Sequence, residues 1–185
     1  RHLQRMSVTR LPVVGVMGSH EHPHTDLAKP LGELIASLPV HLLTGSGPGV
    51  MGSVSAAFAN VKDRKGLCIG VVPAESLDHP TRTPTGYPNA HVELAIRTHL
   101  VRKQPYLWDG LTRNHVNILT ADAVIALPGS TGTAHEVEIA VRYGKPITAF
   151  LHHTDEMNSL PDVVRICLKI EDVAAFLHDT LKLKA

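Results

Sequence analysis

Aromatic residues and clustered positive charges are both scarce in this chain of 185 residues. Phe, Trp and Tyr make up 4% of it, and the formal net charge is +1 at pH 7. Binding of nucleic acid needs basic side chains to neutralise phosphates and aromatic rings to stack on bases. The composition therefore predicts no nucleic-acid partner. No apolar run approaches the roughly 18 residues of a membrane span, so we also expect no membrane insertion.

Cysteine is equally scarce. Cys68 and Cys167 each lie within an apolar run, which predicts buried free thiols rather than a disulfide. The N-terminal stretch lacks the apolar core of a secretory signal, so we expect a cytoplasmic location. The hydrophobic fraction of 43% and the charged fraction of 19% are typical of a globular protein. We predict one domain over residues 1–185, with residues 1–10 as an N-terminal tail.

Strand-like and helix-like segments alternate along the chain. Short apolar runs predict strands at residues 11–17, 40–43, 67–72, 123–127, 147–151 and 165–170. Helical spacing predicts helices at residues 26–38, 50–60, 111–119, 134–143 and 171–183. This alternation predicts an α/β fold with a doubly wound parallel sheet, Rossmann-like in architecture.

Residues 74–108 form a long segment that is rich in Pro, Thr and His, and we interpret it as an insertion. A short strand is expected at residues 91–96. Long ordered loops in compact domains are usually functional, and an excursion at the edge of the sheet without a role is the alternative.

Two glycine-rich turns follow predicted strands. The first is TGSGPGVMG over residues 44–52, and the second is LPGSTGTAHE over residues 127–136. Ligands of doubly wound sheets bind at the carboxyl ends of the strands, where helix N-termini favour anions. The turns therefore predict a site for a phosphate-bearing ligand. The predicted ligand-binding residues are Gly18, Ser19, Gly45, Ser46, Gly47, Gly49, Met51, Arg113, Asn114, Pro128, Gly129, Ser130, Thr131, Gly132, Thr133 and Glu136.

Two charged side chains accompany these turns. Arg113 precedes the strand that leads to the second turn, and a guanidinium can hold a phosphate or a carboxylate. Glu136 follows the second turn, and two roles stay open for it. It either interacts favourably with the N-terminus of the helix, or acts as a general acid/base or a ligand of a ribose hydroxyl.

The two turns resemble the signature motifs GGGxxGxM and PGGxGTxxE of the Lonely Guy (LOG) family, across about residues 11–151. The resemblance implies a LOG-like Rossmann fold and a homodimer that pairs through the helices around residues 111–121 and 134–143. LOG enzymes are phosphoribohydrolases that release the free base from nucleoside 5′-monophosphates. In that reading the catalytic residues would be Arg113 and Glu136.

The site departs from the LOG pattern in several places. Ser46 and Ser130 stand in place of glycines, and Arg113 is followed by Asn114 rather than lysine. The stretch RNHVNIL over residues 113–119 is more similar to the molybdenum cofactor carrier proteins, a sister branch that binds a phosphorylated pterin without transforming it.

We therefore predict binding of a phosphorylated nucleotide-like or pterin ligand, with the molybdenum cofactor as cargo and no cofactor required. A LOG-type hydrolase of N-glycosyl bonds is the main alternative. A regulatory nucleotide sensor is a third reading, because the fold does not fix the chemistry.

Other residues of the sequence are weaker candidates for metal binding or for contact with the ligand. The histidines of HEHPH at residues 20–24 and the pair His152-His153 are potential metal ligands. A metal site needs convergent ligands and supporting partners, which loop histidines alone do not supply, so no metal is expected. Tyr106, Trp108 and Asp109 lie near Arg113 and are candidates to cover the pocket, but for Trp108 a packing role at an insertion or dimer contact is favoured.

Overall fold

The structure is a computed structural model that describes residues 10–102, 112–158 and 160–183. Seven strands occur in the described chain. They are β1 (Val13–Met17), β2 (His41–Thr44), β3 (Cys68–Ala74), β4 (Leu94–Val101), β5 (Ala123–Ala126), β6 (Ile147–Phe150) and β7 (Arg165–Cys167). The helices of the same residues are α1 (Thr25–Ser37), α2 (Val50–Ala59), α3 (Arg113–Thr120), α4 (Thr131–Arg142) and α5 (Ile170–Leu181).

The strands form one sheet in the order β4-β3-β2-β1-β5-β6-β7, and every neighbouring pair is parallel. Val14 lies opposite Leu42 on one side and Ala123 on the other, so β1 is central. The single α/β domain with a Rossmann-like sheet is confirmed. Because all strands are parallel, the loops that follow them gather at one edge of the sheet.

Two helical layers cover the sheet. Alternate strand residues such as Val14, Val16 and Leu42 pack with α1, α2 and α5 on one face. The intervening residues, Met17 and Leu43 among them, belong to a second cluster with α3 and α4. The sheet is apolar on both faces because each face is buried, as is usual for parallel sheets. Cys68 and Cys167 are buried free thiols, as predicted.

Three predicted elements need correction. The strand expected at residues 165–170 is β7, which ends at Cys167 because Ile170 already begins α5. The strand expected at residues 91–96 is β4, which begins at Leu94 and continues to Val101. It lies at the edge of the sheet and is mostly exposed, so its residues lack the apolar run of a buried strand. The helix expected at residues 134–143 begins three residues earlier, at Thr131.

Within the described residues, no helix has both the length and the apolar character needed to cross a membrane. The cytoplasmic location stays a prediction.

Candidate functional site

The order of the strands reverses at β1, whose neighbours are β2 and β5. The loop after β1 is hydrogen bonded to the segments that follow β2 and β5. The Ser19 backbone N–H donates to the Pro128 carbonyl at 3.0 Å, and the Ser19 carbonyl accepts from the Val50 N–H at 2.8 Å. The fold therefore brings the loop at Gly18 and Ser19 together with both glycine-rich turns, at the place where such sheets bind ligands.

Hydrogen bonds made by Ser46 fix the backbone of the first glycine-rich turn. Ser46 has a φ of 63°, in the left-handed region that favours glycine. Its hydroxyl donates to the Val71 carbonyl at 3.1 Å, and its N–H donates to Thr44 Oγ1 at 3.1 Å. These bonds hold a serine where the LOG pattern has glycine. They also direct the Ser46 hydroxyl toward β3.

Arg113, the first residue of α3, is 5% exposed. Its Nη1 donates to the Gly45 carbonyl at 2.8 Å and to the Val71 carbonyl at 3.2 Å. A Cβ on Gly45 would collide with the same Nη1 atom, so the guanidinium occupies space that only glycine leaves open. Burial lowers the pKa of Arg113 from its usual value, although a guanidinium stays charged.

The loop before β4 covers this arginine with an aromatic ring. Tyr87 is buried, and its ring centroid lies 5.6 Å from the Arg113 guanidinium carbon. The Tyr87 hydroxyl hydrogen bonds to His20 Nδ1 at 3.1 Å. Asn89 secures the same loop, because its side-chain amide donates to the Gly47 carbonyl at 3.1 Å.

The second turn leads directly into α4 and is open to solvent. Ser130 precedes the helix with extended backbone and makes no side-chain capping hydrogen bond. Ser130, Thr131 and Gly132 are exposed, and a Cβ built on Gly132 would meet no side chain or distant backbone atom of the described residues within 4 Å. The first N–H groups of a helix have no partner within the helix. This end of α4 therefore presents backbone donors and the positive end of the helix dipole outward.

Glu136 lies in the second turn of α4, since the helix begins at Thr131. The interpretation of Glu136 as a first-turn carboxylate at the helix N-terminus is therefore wrong. The side chain is buried, and Asn117 Nδ2 donates to Glu136 Oε1 at 3.3 Å. Burial raises the pKa of Glu136 to about 7, against the opposing effects of the Arg113 charge and the Asn117 hydrogen bond.

Two buried polar atoms near Glu136 have no hydrogen-bond partner among the described residues. They are Nε of Arg113 and Oδ1 of Asn117. Buried polar atoms are nearly always paired, so each is a position where a bound ligand or water can supply the missing partner.

Other polar residues line the start of α3 and α4. Asn114 Nδ2 lies 3.2 Å from His135 Nδ1, which links the two helices. The His115 ring lies 6.1 Å from the His135 ring, edge to face.

Several of these residues could not be found from the sequence. Tyr87, Asn89 and Asn117 belong to no glycine-rich motif, and only the folded chain brings them to the site. By contrast, the predicted residues of the three loops lie at one edge, and Met51 contributes a sulfur atom 3.0 Å from the Cβ position of Gly45. Their roles as ligand-binding residues stay predictions. Tyr106, Trp108 and Asp109 fall outside the described residues.

A family model described as the SLOG cluster4 family matches residues 11–175. The chain belongs to the SLOG cluster4 family. This confirms the predicted membership of the LOG-like Rossmann superfamily.

Similar proteins of known structure extend over almost the whole SLOG cluster4 chain. The molybdenum cofactor binding protein from the phototrophic bacterium Rippkaea orientalis has a TM-score of 0.71 and 30% sequence identity. The molybdenum cofactor carrier protein from Chlamydomonas reinhardtii has a TM-score of 0.69 and 24% identity, which supports the fold alone. Each alignment covers 94% of this chain and 99% of the other.

A curated relative is also similar in sequence. It is an uncharacterized protein from Archaeoglobus fulgidus, 27% identical over 142 residues, which cover 76% of this chain and 80% of the relative.

The raised pKa of Glu136 predicts a pH-dependent stability. Between its usual pKa of 4.5 and about 7, the folded protein keeps a proton on Glu136 that the unfolded chain has lost. The free energy of unfolding should therefore fall as the pH rises through this range, on the order of 2–3 kcal/mol from this group.

Urea unfolding of the wild type and Glu136→Gln, at about pH 5 and about pH 8, measures this effect. The glutamine cannot titrate, so the wild type should lose stability relative to the variant at the higher pH. Parallel pH profiles of the two proteins would show that Glu136 titrates normally.

Proposed function

We propose that this protein binds a phosphorylated pterin-type ligand, with the molybdenum cofactor as cargo, at the carboxyl edge of its sheet. The observation that carries the proposal is the uncapped, exposed N-terminus of α4 at residues 130–132. Backbone donors and the helix dipole there suit a phosphate group. The hydroxyls of Ser130 and Thr131 add two further donors.

The surroundings of that helix end support a ligand larger than phosphate. The unpartnered Arg113 Nε and Asn117 Oδ1 offer a donor and an acceptor near Glu136. A pterin ring carries both hydrogen-bond donors and acceptors. The similarity to the molybdenum cofactor binding protein from Rippkaea orientalis, at 30% identity, points to the same ligand class.

Binding without hydrolysis is the better-supported reading of Arg113 and Glu136. Cleavage of an N-glycosidic bond needs a positioned acid or base and a cation that holds the ribose phosphate in register. The Arg113 Nη1 atom is already held by the carbonyls of Gly45 and Val71. Asn114 and Ser130 replace residues of the LOG pattern at the site itself.

The phosphate position predicts the effect of a charge change. Gly132→Asp adds a carboxylate at the α4 N-terminus, where the described part of the chain leaves room for a Cβ. We expect affinity for the molybdenum cofactor and for AMP to fall by at least about tenfold, equivalent to about 1.4 kcal/mol. Isothermal titration calorimetry measures this.

Asn60→Asp is the matched control for this experiment. Asn60 is exposed at the end of α2, so the substitution adds the same charge at the opposite edge of the sheet. Affinity should stay at the wild-type value. Equal losses in the two variants, or no loss in Gly132→Asp, would contradict the proposed phosphate position.

The absence of hydrolysis is tested separately. We expect the wild type to release no free base from AMP, GMP, CMP, UMP or a cytokinin nucleotide, as measured by chromatography of the reaction mixture. Base release by the wild type that disappears in Glu136→Gln would instead establish the LOG-type activity, because the amide keeps the shape of the carboxyl group without its proton chemistry.

We further propose that two copies pair through α3 and α4. Leu119 on α3 and Tyr143 at the end of α4 are 47% and 49% exposed, although both are large and apolar. An isologous dimer would use this face on both subunits and remove these side chains from water.

Light scattering at micromolar concentration tests the pairing. The wild type should have twice the chain mass of 20.0 kDa, whereas Leu119→Glu should be shifted toward the monomer because the dimer would bury the new charge. Leu168→Glu is the matched control, since Leu168 is 46% exposed and lies outside α3 and α4. A monomeric wild type would overturn the dimer.

A further inference from the structure

Two loops at the carboxyl edge of the sheet bring two imidazoles and a carboxylate together. His24 lies at the end of the loop between β1 and α1, and His152 and Glu156 lie in the loop after β6. One ligand atom from each side chain lies within 4.8 Å of the others. His24 is separated from the other two residues by more than a hundred positions, so the cluster depends on the fold.

The backbone of this cluster is fixed by hydrogen bonds. The His24 carbonyl accepts from the N–H groups of Leu27 and Ala28, at 3.0 and 2.8 Å. Glu156 Oε2 accepts from the His152 N–H at 2.7 Å, which holds the carboxylate against the loop that carries the imidazole. Hydrogen bonds therefore fix the backbone at His24 and hold the Glu156 carboxylate beside His152.

His152 also has the supporting partners that metal-binding histidines usually have. Its Nδ1 lies 2.7 Å from Glu156 Oε1, and its Nε2 contacts Asp26 Oδ2. If Nδ1 binds the ion beside Glu156, Nε2 keeps Asp26 as its carboxylate partner, which orients the ring and raises its basicity. The cluster therefore has the convergent ligands and the supporting partners that a metal site needs and that the sequence alone did not show for the loop histidines.

We propose that His24, His152 and Glu156 form a site for a divalent transition-metal ion of the Zn²⁺ class. Two imidazoles and one carboxylate are a ligand set that zinc accepts, with a fourth position left for water. Ligand atoms of a tetrahedral zinc site lie about 3.4 Å apart. This value falls between the 2.7 Å from His152 Nδ1 to Glu156 Oε1 and the 4.8 Å limit of the cluster.

Access and charge favour the same conclusion. The His152 side chain is 34% exposed and the Glu156 side chain 16% exposed, so an ion can enter from solvent. Asp26 and Glu156 bring two carboxylates to the cluster, and a bound cation would be attracted to both. The ion would join the start of α1 to the loop after β6, independently of any phosphorylated ligand.

Calorimetric titration of the tag-free, chelator-treated chain with zinc chloride tests the site. We expect one equivalent to bind with at least micromolar affinity, and Mg²⁺ and Ca²⁺ to bind much more weakly, because imidazole ligands suit borderline metals. His24→Ala, His152→Ala and Glu156→Gln should each lower zinc affinity by about tenfold or more. Co²⁺ in place of zinc should give the visible absorption of a low-coordinate site, lost in the same variants.

His153→Ala is the matched control. His153 is the neighbour of His152 and pairs with Asp155 outside the cluster, so its removal should leave zinc affinity unchanged. If His152→Ala and His153→Ala bind zinc equally, or if the wild type binds no stoichiometric zinc, the cluster is an ion-pair network only and the proposal fails. Circular dichroism of each variant separates loss of the site from loss of the fold.

Discussion

The hydrogen bonds from the Arg113 guanidinium to the carbonyls of Gly45 and Val71 fix the floor of the site. A buried charge is costly unless hydrogen bonds and opposite charge compensate it. Here the two carbonyls and the Tyr87 ring do so, and the carbonyls tie the start of α3 to the turn after β2 and to β3. Glycine is needed at position 45 because the guanidinium lies where its Cβ would be.

The two glycine-rich turns consequently differ in what they offer a ligand. At the first turn, groups of the protein already make the contacts. The Ser46 hydroxyl donates to the Val71 carbonyl, the Asn89 amide donates to the Gly47 carbonyl, and the Tyr87 ring lies where a Cβ of Gly47 would be. The second ends in a helix whose first residues are exposed and uncapped. Similar motifs thus have different physical roles, and an anion is expected at only one of them.

The layout of the fold was predictable because strands buried on both faces are continuous apolar runs and glycines mark the turns after them. The ends of the edge strand β4 were predicted poorly because the strand is exposed and lacks such an apolar run. The early start of α4 at Thr131 was missed because small polar residues with a glycine are typical of a turn. Tyr87, Asn117 and the pairing of His24 with His152 depend on contacts between distant segments, which no local pattern encodes.

A crystal structure with bound AMP or phosphorylated pterin tests the proposed position of the phosphate group most directly. We expect a phosphate within hydrogen-bond distance of the backbone N–H groups at residues 130–133, at the N-terminus of α4. A phosphate bound only elsewhere, for example at the turn of residues 45–49, would contradict it.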